Sequence, residues 1–325
     1  MEKKLQNIEK DNQNKTVGDL NVIDIKPRGY CKGVIRSLRL LKNIREKYPD
    51  ETISVLGRIV HNRYVAEAMD LYNIITVDYP GLTREQLLSY VDHGIVILSA
   101  HGSSDMVKDK AKAKGLTVID AACPDVISSH KIIEDALKKN EQVIFIGKSK
   151  HPETEAVMQN FKNINLITNI SDVNKFKIDP FEKIVIANQT TLSILDMRNL
   201  IEAIIKKYPN AKVIDEVCGA TRVRQEAVIK NSNLDALIVV GDPDSNNTAM
   251  LAKIALDSGI KNVQRIETVQ DLDLTKFHKN DFVGITSGAS TPPYLTDMVS
   301  DYLKQINLAA PMPKPEIDIS KILDL

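Results

Sequence analysis

The chain repeats one pattern three times at intervals of slightly more than ninety residues, and a cysteine marks each repeat. Cys31 and Cys123 are 92 residues apart, and Cys123 and Cys218 are 95 residues apart. Each cysteine follows an apolar stretch that contains the tripeptide Val-Ile-Asp. The first two precede segments in which apolar residues recur every three or four positions. The pattern predicts three similar strand-to-helix turns, each carrying one cysteine.

Two further landmarks recur within each repeat. About 28 residues after each cysteine an apolar strand ends in a polar loop, and about 70 residues after it a second strand ends in small polar residues. Nine loops therefore fall into three equivalent sets of three. In the three repeats, the loop about 28 residues after the cysteine contains His61, His151 and Ser245, respectively. The loop about 70 residues after it contains His101, Thr190 and Ser290.

Continuous apolar runs that alternate with helical segments are typical of parallel strands covered by helices, which predicts an α/β fold. The first two repeats each supply four strands, whereas the third supplies three. We expect the strand at 21–25 to cross over and complete the third sheet. The predicted units are residues 32–122, residues 123–217, and residues 21–31 with 218–306, flanked by a disordered polar tail at 1–20 and a C-terminal tail at 307–325.

Three small parallel-sheet α/β units of this kind predict a quasi-threefold ring. In open parallel sheets, ligands bind at the carboxyl ends of the strands. A ring closed in this way would direct all nine loops toward one central cavity. We therefore expect Cys31, Cys123 and Cys218 to meet there.

Charge and cysteine content narrow the classes of function. Lys and Arg number 43, and Asp and Glu also number 43, so the chain is formally neutral. A neutral chain has no basic field with which to hold a nucleic acid or an anionic membrane. No apolar run approaches the roughly 20 residues that span a bilayer. Three cysteines without a Cys-X-X-Cys spacing argue against a disulfide framework, so we expect a cytoplasmic protein.

Three converging thiols surrounded by His, Glu, Thr, Ser and Asn favour an iron-sulfur centre over structural zinc. Structural zinc sites are closed by four protein ligands, whereas a 4Fe-4S cluster held by three cysteines leaves one iron open. Each cysteine also precedes a helix, whose dipole is expected to favour the thiolate. The alternatives from the residues alone are unrelated buried thiols or a zinc site with His130 or His151 as its fourth ligand.

Nine segments of the chain, together with their order and spacing, resemble those of one enzyme family. They are PRGYCKGV, VHNRYV, SAHGSS, DAACPDV, HPETE, NQTTLS, VCGATRVRQEAV, VVGDPDSNN and TSGASTP, and the resemblance extends over residues 21–305. The family is that of the 4-hydroxy-3-methylbut-2-enyl diphosphate reductases, called LytB or IspH. The resemblance implies the last step of the non-mevalonate isoprenoid pathway, in which an allylic hydroxyl is removed reductively to give isopentenyl and dimethylallyl diphosphate.

The resemblance also implies roles for individual residues. It implies one 4Fe-4S cluster with three cysteine ligands and one open iron, a proton donor at Glu153 and a relaying hydroxyl at Thr190. A carboxyl group buried beside the cluster and the substrate is expected to have a raised pKa. The implied cluster ligands are Cys31, Cys123 and Cys218, and the implied substrate contacts are His61, His101, His151, Thr190, Thr191, Ser245, Asn246, Asn247 and Ser290.

The chain departs from the commonest family pattern at two positions of one loop, where Pro243 often corresponds to lysine and Asn246 to serine. No glycine-rich nucleotide fingerprint follows a strand, so nicotinamide is not expected to bind. The resemblance implies ferredoxin or flavodoxin as the electron donor. Two alternatives remain at this point: a 4Fe-4S dehydratase similar to quinolinate synthase, and a non-catalytic iron-sulfur sensor.

Overall fold

The structure is a computed structural model that describes residues 18–179, 182–214 and 217–325. Within these residues the chain alternates strands and helices, as the sequence predicts. No helix in the described part is both long enough and apolar enough to cross a membrane.

The described strands form three four-stranded sheets, and every pairing between neighbouring strands is parallel. This confirms the predicted α/β class. The first sheet contains β2 (Ile53–Leu56), β3 (Ile74–Val77), β4 (Ile95–Leu98) and β5 (Thr117–Asp120). The second contains β6 (Gln142–Ile146), β7 (Ile164–Ile167), β8 (Ile184–Asn188) and β9 (Lys212–Val213). The third contains β1 (Asn21–Asp24), β10 (Ala236–Val240), β11 (Asn262–Ile266) and β12 (Phe282–Ser287).

The three sheets share one strand order, with the first and third strands of each unit inside and the strand that leads into a cysteine at an edge. The orders are β3-β2-β4-β5, β7-β6-β8-β9 and β11-β10-β12-β1. Strand β1 pairs with β12 in the register Val22 to Val283, which confirms that the N-terminal strand completes the third sheet. The inner strands β2, β4, β8 and β10 are buried along their whole length, as is usual for parallel strands covered on both faces.

Helices connect the strands, and the cysteine turns lie at the starts of three of them. Each of the three cysteines directly precedes a helix, which confirms the predicted turns. The helices are α1 (Lys32–Lys47), α2 (Arg63–Asp70), α3 (Arg84–Leu87), α4 (Asp105–Ala113), α5 (Pro124–Lys138), α6 (Pro152–Asn160), α7 (Ile170–Lys175), α8 (Ile194–Lys207), α9 (Gly219–Lys230), α10 (Asn246–Asp257) and α11 (Pro293–Lys304).

The chain divides into two compact units. One contains Tyr30–Val223 and Ile319–Leu325, and therefore carries the first and second sheets. The other contains Arg224–Asp318 together with the residues up to Gly29, and carries the third sheet. The three cysteines all belong to the first of these units.

Both ends of the described chain are held by hydrogen bonds. Most of the predicted N-terminal tail, residues 1–17, lies outside the described residues. Gly18 donates its backbone N–H to the carbonyl of Lys304 at 3.0 Å, and the following Leu20 is buried. Near the C-terminus, the Tyr30 hydroxyl donates to the carbonyl of Ile322 at 2.8 Å, and Ile322 is fully buried. The last residues therefore pack beside the Cys31 turn.

Candidate active site

Each cysteine directly precedes a helix, and two of the three have the local geometry of an N-cap. Cys31 and Cys123 are extended residues that directly precede α1 and α5. The Cys31 sulfur accepts a hydrogen bond from the Val34 N–H at 3.4 Å, and the Cys218 thiol donates to the Thr221 hydroxyl at 3.2 Å. All three are free thiols that are partly exposed.

The three thiols lie close enough to interact with one another. A methyl group built on Gly33 would come within 2.6 Å of the Cys123 sulfur and 3.8 Å of the Cys31 sulfur. Gly33 therefore leaves the space that the Cys123 side chain fills. Cys218 also lies within electrostatic range of both Cys31 and Cys123. The predicted convergence of the cysteines is present within this compact unit.

Cys123 and Cys218 hold their protons more strongly than the sequence led us to expect. Burial raises the pKa of Cys123 to about 11, and it also raises the pKa of Cys218. The N–H groups at the helix start do act to lower the pKa of both residues, as expected. Desolvation outweighs the N–H groups of the helix start. A metal must displace these protons in order to bind.

The donor set fits an iron-sulfur cluster. Thiolates are the ligands that such clusters use, and here each thiol comes from a different turn. A single tetrahedral zinc ion would bring its sulfur ligands to within roughly 4 Å of one another. Among the described residues, no group of three or more His, Cys, Asp or Glu side chains is arranged around a single metal position. His130, one candidate for a fourth zinc ligand, instead packs against Asn160 and Phe161.

Three histidines from three different loops form a second cluster in the same unit. The ring centroids of His61 and His101 are 4.2 Å apart, and His151 lies 5.7 Å from His61 and 5.9 Å from His101. Each follows the end of a buried strand, as the repeat predicts. The structure therefore brings together the three histidines that the sequence singled out.

The imidazoles of His101 and His151 are neutral at physiological pH. Burial lowers the pKa of His101 well below its usual range and lowers the pKa of His151 to about 3, and the neighbouring His61 and Arg84 add to both shifts. The His151 Nδ1 accepts the Glu153 N–H at 3.2 Å, so the proton of the neutral ring is on Nε2. His151 can therefore donate one hydrogen bond from Nε2 without carrying charge.

A pH dependence of stability follows from His151. In the unfolded chain a histidine titrates near 6.5, so acid protonates the unfolded state first. The stability that neutral His151 provides is complete above about pH 6.5 and is lost as the pH falls toward 3. Between pH 6.5 and 5 we expect His151 to account for a loss of about 2 kcal/mol in the free energy of unfolding.

Denaturant unfolding of the metal-free protein at pH 7 and pH 5 measures this loss. His151→Asn keeps an oxygen that can accept the Glu153 N–H but does not titrate, so it should reduce the difference between the two pH values by about 2 kcal/mol. His93→Asn, at an exposed position, is the matched control and should keep the native difference. If the free energy of unfolding differed equally between pH 7 and pH 5 in all three proteins, the pH dependence could not be assigned to His151.

Glu153 and Thr190 form a buried pair. Glu153 is 2% exposed and Thr190 is 7% exposed. The carboxylate accepts the Thr190 N–H through Oε1 at 2.9 Å and the Thr190 hydroxyl through Oε2, also at 2.9 Å. The first bond fixes the orientation of the carboxylate, and the second aligns it with the hydroxyl. The two residues expected to handle the proton are therefore in direct contact.

Backbone hydrogen bonds tie the polar loops to the cysteine turns. The Cys218 N–H donates to the carbonyl of Thr190 at 3.2 Å, and the Cys123 N–H donates at 2.9 Å to Ala100, which immediately precedes His101. The same bond thus recurs in two repeats. It fixes the position of each cysteine turn relative to a loop that carries a predicted substrate contact.

Gln189 is a positioning residue that sequence reasoning missed. Its side chain is fully buried, its Oε1 accepts the Lys148 N–H at 3.0 Å, and its Nε2 donates to the Thr191 hydroxyl at 3.0 Å. Gln189 therefore joins the loop before His151 to the loop that carries Thr190 and Thr191. The motif NQTTLS identified this segment as part of the site. Nothing in the sequence, however, indicates that the Gln189 amide links the two loops.

Sequence reasoning also missed Arg84 as a residue of the site. It opens a four-residue helix that would ordinarily be solvated, yet burial lowers its pKa and its Nη2 donates to the Ser99 hydroxyl at 2.7 Å. A methyl group on Gly57 would come within 2.6 Å of its Nη1. Arg84 thus places a half-buried positive charge near His101 and His151 and helps to keep both rings neutral.

The second compact unit brings together the hydroxyl and amide residues predicted from the third repeat. Ser245 caps α10 and accepts the Thr248 N–H at 3.3 Å, and Asn247 Oδ1 accepts the N–H of Ala289, next to Ser290, at 2.9 Å. Asn246 is 8% exposed and lies at the first position of the helix. The two loops that carry these residues are therefore joined within their own unit.

Comparison with known proteins agrees with these observations. The family model described as LytB protein matches residues 22–304. A 4-hydroxy-3-methylbut-2-enyl diphosphate reductase from Bacillus cytotoxicus is 40% identical over 310 residues, which is 94% of this chain and 98% of the relative. The Exiguobacterium reductase is 42% identical over 291 residues, or 88% of this chain and 91% of the relative.

Two solved structures share the fold over nearly the whole chain. The reductase from Plasmodium falciparum superposes with a TM-score of 0.80 and 29% identity, covering 93% of this chain and 96% of that one. A second, described as the terminal enzyme of the non-mevalonate pathway, gives a TM-score of 0.59 and 27% identity, covering 86% and 98%. Because the family model spans most of the chain, and relatives at about 40% identity span nearly all of it, the chain belongs to the LytB family of 4-hydroxy-3-methylbut-2-enyl diphosphate reductases.

Proposed function

We infer that the chain catalyses the reductive removal of the hydroxyl group from 4-hydroxy-3-methylbut-2-enyl diphosphate. The reaction consumes two electrons and two protons, breaks the allylic carbon–oxygen bond, and gives water with isopentenyl or dimethylallyl diphosphate. The observation that carries this inference is the hydrogen bond from the Cys218 N–H to the Thr190 carbonyl. It connects the thiol site directly to the Glu153–Thr190 pair, so redox and proton chemistry share one framework.

Cys31, Cys123 and Cys218 would hold one 4Fe-4S cluster. When bound, the cluster supplies one-electron transfer and an iron position that can act as a Lewis acid. Gly33 supports this role, because the space beside its Cα is occupied by the Cys123 sulfur. The chain's own contribution is to bring three thiols from separate turns to one place and to shield two of them from water.

Glu153 would donate the proton to the leaving hydroxyl through Thr190. The 2.9 Å separation between Glu153 Oε2 and Thr190 Oγ1 allows a proton to lie on either oxygen. When the carboxyl is protonated it donates to the threonine, whose own hydroxyl proton is then free to point toward the substrate. The Thr190 N–H holds Oε1 in both states, so the pair need not reorient during transfer.

The diphosphate would be bound by neutral donors rather than by a cluster of cations. We assign this role to His61, His101 and His151, whose rings lie together, and to the hydroxyl and amide groups of the third repeat. Neutral donors and helix N-termini bind phosphate oxygens well when they are preorganised. We also assign substrate contacts to Thr190, Thr191, Ser245, Asn246, Asn247 and Ser290.

The electrons would come from a one-electron carrier protein of the ferredoxin or flavodoxin type, because the sequence contains no nicotinamide-binding fingerprint. Thiol ligands also require a compartment that keeps them reduced, which supports a place in the cytoplasm.

An anaerobic assay tests the function. Reconstituted protein, with iron and sulfide quantified on the same sample, is supplied with a chemical one-electron reductant and the substrate. We expect both five-carbon diphosphates to form. A fully loaded cluster that neither turns over nor responds spectroscopically to the substrate would instead favour a dehydratase or a sensor.

A further inference from the structure

We propose that the start of α1, together with the exposed first turn of α5, forms a docking surface for a small acidic one-electron carrier protein. The proposal rests on the proposed function, and it names the surface through which electrons would reach the thiol site. We call this the α1–α5 face and define it by Lys32, Arg36, Arg39, Ile127 and Lys131.

The cysteines lie just beneath this part of the molecule. The residue that follows each cysteine is exposed, namely Lys32, Pro124 and Gly219. The three turns therefore reach the surface at the point where their helices begin. A carrier that rests on the α1–α5 face would cover the helix starts that follow Cys31 and Cys123.

The first three turns of α1 are uniformly basic on their exposed side. Lys32, Arg36 and Arg39 are spaced four and three residues apart, so they lie on one face of the helix, and all three are exposed. No acidic residue occurs between Lys32 and Asn43. Among the described residues, none of the three forms an ion pair within 4 Å. Their charge is therefore available to a partner.

This basic stripe is in contact with the Cys123 turn. The Arg36 Nη1 donates to the carbonyl of Ala122 at 3.0 Å, and the Ser37 hydroxyl donates to the carbonyl of Ala121 at 2.9 Å. One turn earlier, Gly33 packs against the Cys123 sulfur. The stripe and the thiol site therefore belong to one packed segment of the same unit.

An exposed apolar side chain and a cleft border the stripe on α5. Ile127 is 51% exposed, although it is a large aliphatic residue one turn from Cys123. It lines a cleft of about 680 Å³ whose walls combine apolar residues such as Ala122 and Phe161 with Lys131 and with three carboxylates, Asp105, Asp120 and Glu134. An apolar centre with a charged rim is the usual anatomy of a protein interface. Electron-transfer partners need only a small one, because their complexes are transient.

The charges favour an acidic partner. Across the first two turns of α5, Asp125 is the acidic residue, whereas Glu134 farther along is already paired with Lys138 at 2.5 Å. The cleft carboxylates Asp105 and Asp120 are likewise paired, both with Lys108. Four basic side chains therefore oppose one unpaired carboxylate, Asp125, on the α1–α5 face. An acidic carrier would be attracted over a Debye length of about 8 Å at physiological ionic strength, and less at higher salt.

Calorimetric titration of the cluster-loaded protein with an acidic flavodoxin tests the surface independently of catalysis. Native protein should bind it at low salt and lose affinity as salt is added, and it should not bind basic cytochrome c. Lys32→Gln combined with Arg39→Gln should weaken binding roughly five-fold or more at low salt. Arg36 is left intact because it holds the Cys123 turn.

A matched double variant removes the same charge elsewhere. Lys47→Gln with Lys206→Gln alters exposed residues at the carboxyl ends of α1 and α8, and should leave the affinity at its native value. Equal weakening in both double variants, no weakening in either, or no binding by the native protein would overturn the proposal. Turnover with a chemical reductant should be native in both double variants. If the native protein bound flavodoxin but showed no turnover with a chemical reductant, the proposed function would be refuted, whereas the docking surface would not.

Discussion

Glu153→Gln is expected to lose between a hundred-fold and ten-thousand-fold of the turnover supported by a chemical reductant, which is the usual contribution of a positioned general acid. Glutamine has nearly the same shape and can still accept the Thr190 N–H through its oxygen. Its amide cannot deliver a proton to Thr190 Oγ1 at neutral pH. The measurement is steady-state product formation by anaerobically reconstituted enzyme.

The cluster must be unaffected for this result to assign the acid. Iron content, sulfide content and the absorption spectrum of Glu153→Gln should equal those of the native protein. Glu202→Gln, which removes an exposed carboxylate from α8, is the matched control and should turn over normally. Thr190→Ser keeps the hydroxyl and should remain active. If Glu153→Gln turned over at a rate close to native, another group would have to be the donor.

Gly33→Ala is expected to prevent proper cluster assembly. The added methyl group would lie 2.6 Å from the Cys123 sulfur, well inside van der Waals contact. The sulfur can escape by rotating about its side-chain bond, so the fold should survive while the ligand leaves its position. We expect the purified variant to have native helix content and thermal stability but to retain little iron after anaerobic reconstitution, and to show no turnover.

Gly219→Ala provides a matched control for this experiment. Gly219 also lies at the start of a helix, directly after Cys218, but a methyl group there would meet no atom within 4 Å. Alanine is also the better helix former. This variant should therefore assemble the cluster normally. Native iron content in Gly33→Ala would show that Cys123 is not held against α1, whereas loss of iron in both variants would point to a general sensitivity of the turns.

Much of the architecture could be read from the repeat. Three cysteines at similar spacing, with Val-Ile-Asp before each, predicted three parallel sheets, and they also predicted that Asn21–Asp24 would complete the third. Such periodicity is a property of local sequence and of strand pairing rules, so it survives without knowledge of packing. The same logic placed His61, His101 and His151 at equivalent strand ends, where the structure has their rings in contact.

The sequence by itself therefore determined the fold class, the topology of the third sheet and the identities of the side chains that gather at strand ends. The tertiary structure alone decided their chemical state. Cys123 was expected to favour the thiolate at a helix start, but burial raises its pKa to about 11. Arg84 and Gln189 became parts of the site only through tertiary contacts. Desolvation depends on every atom packed around a group, and those atoms come from distant parts of the chain, so no local pattern in the sequence records it.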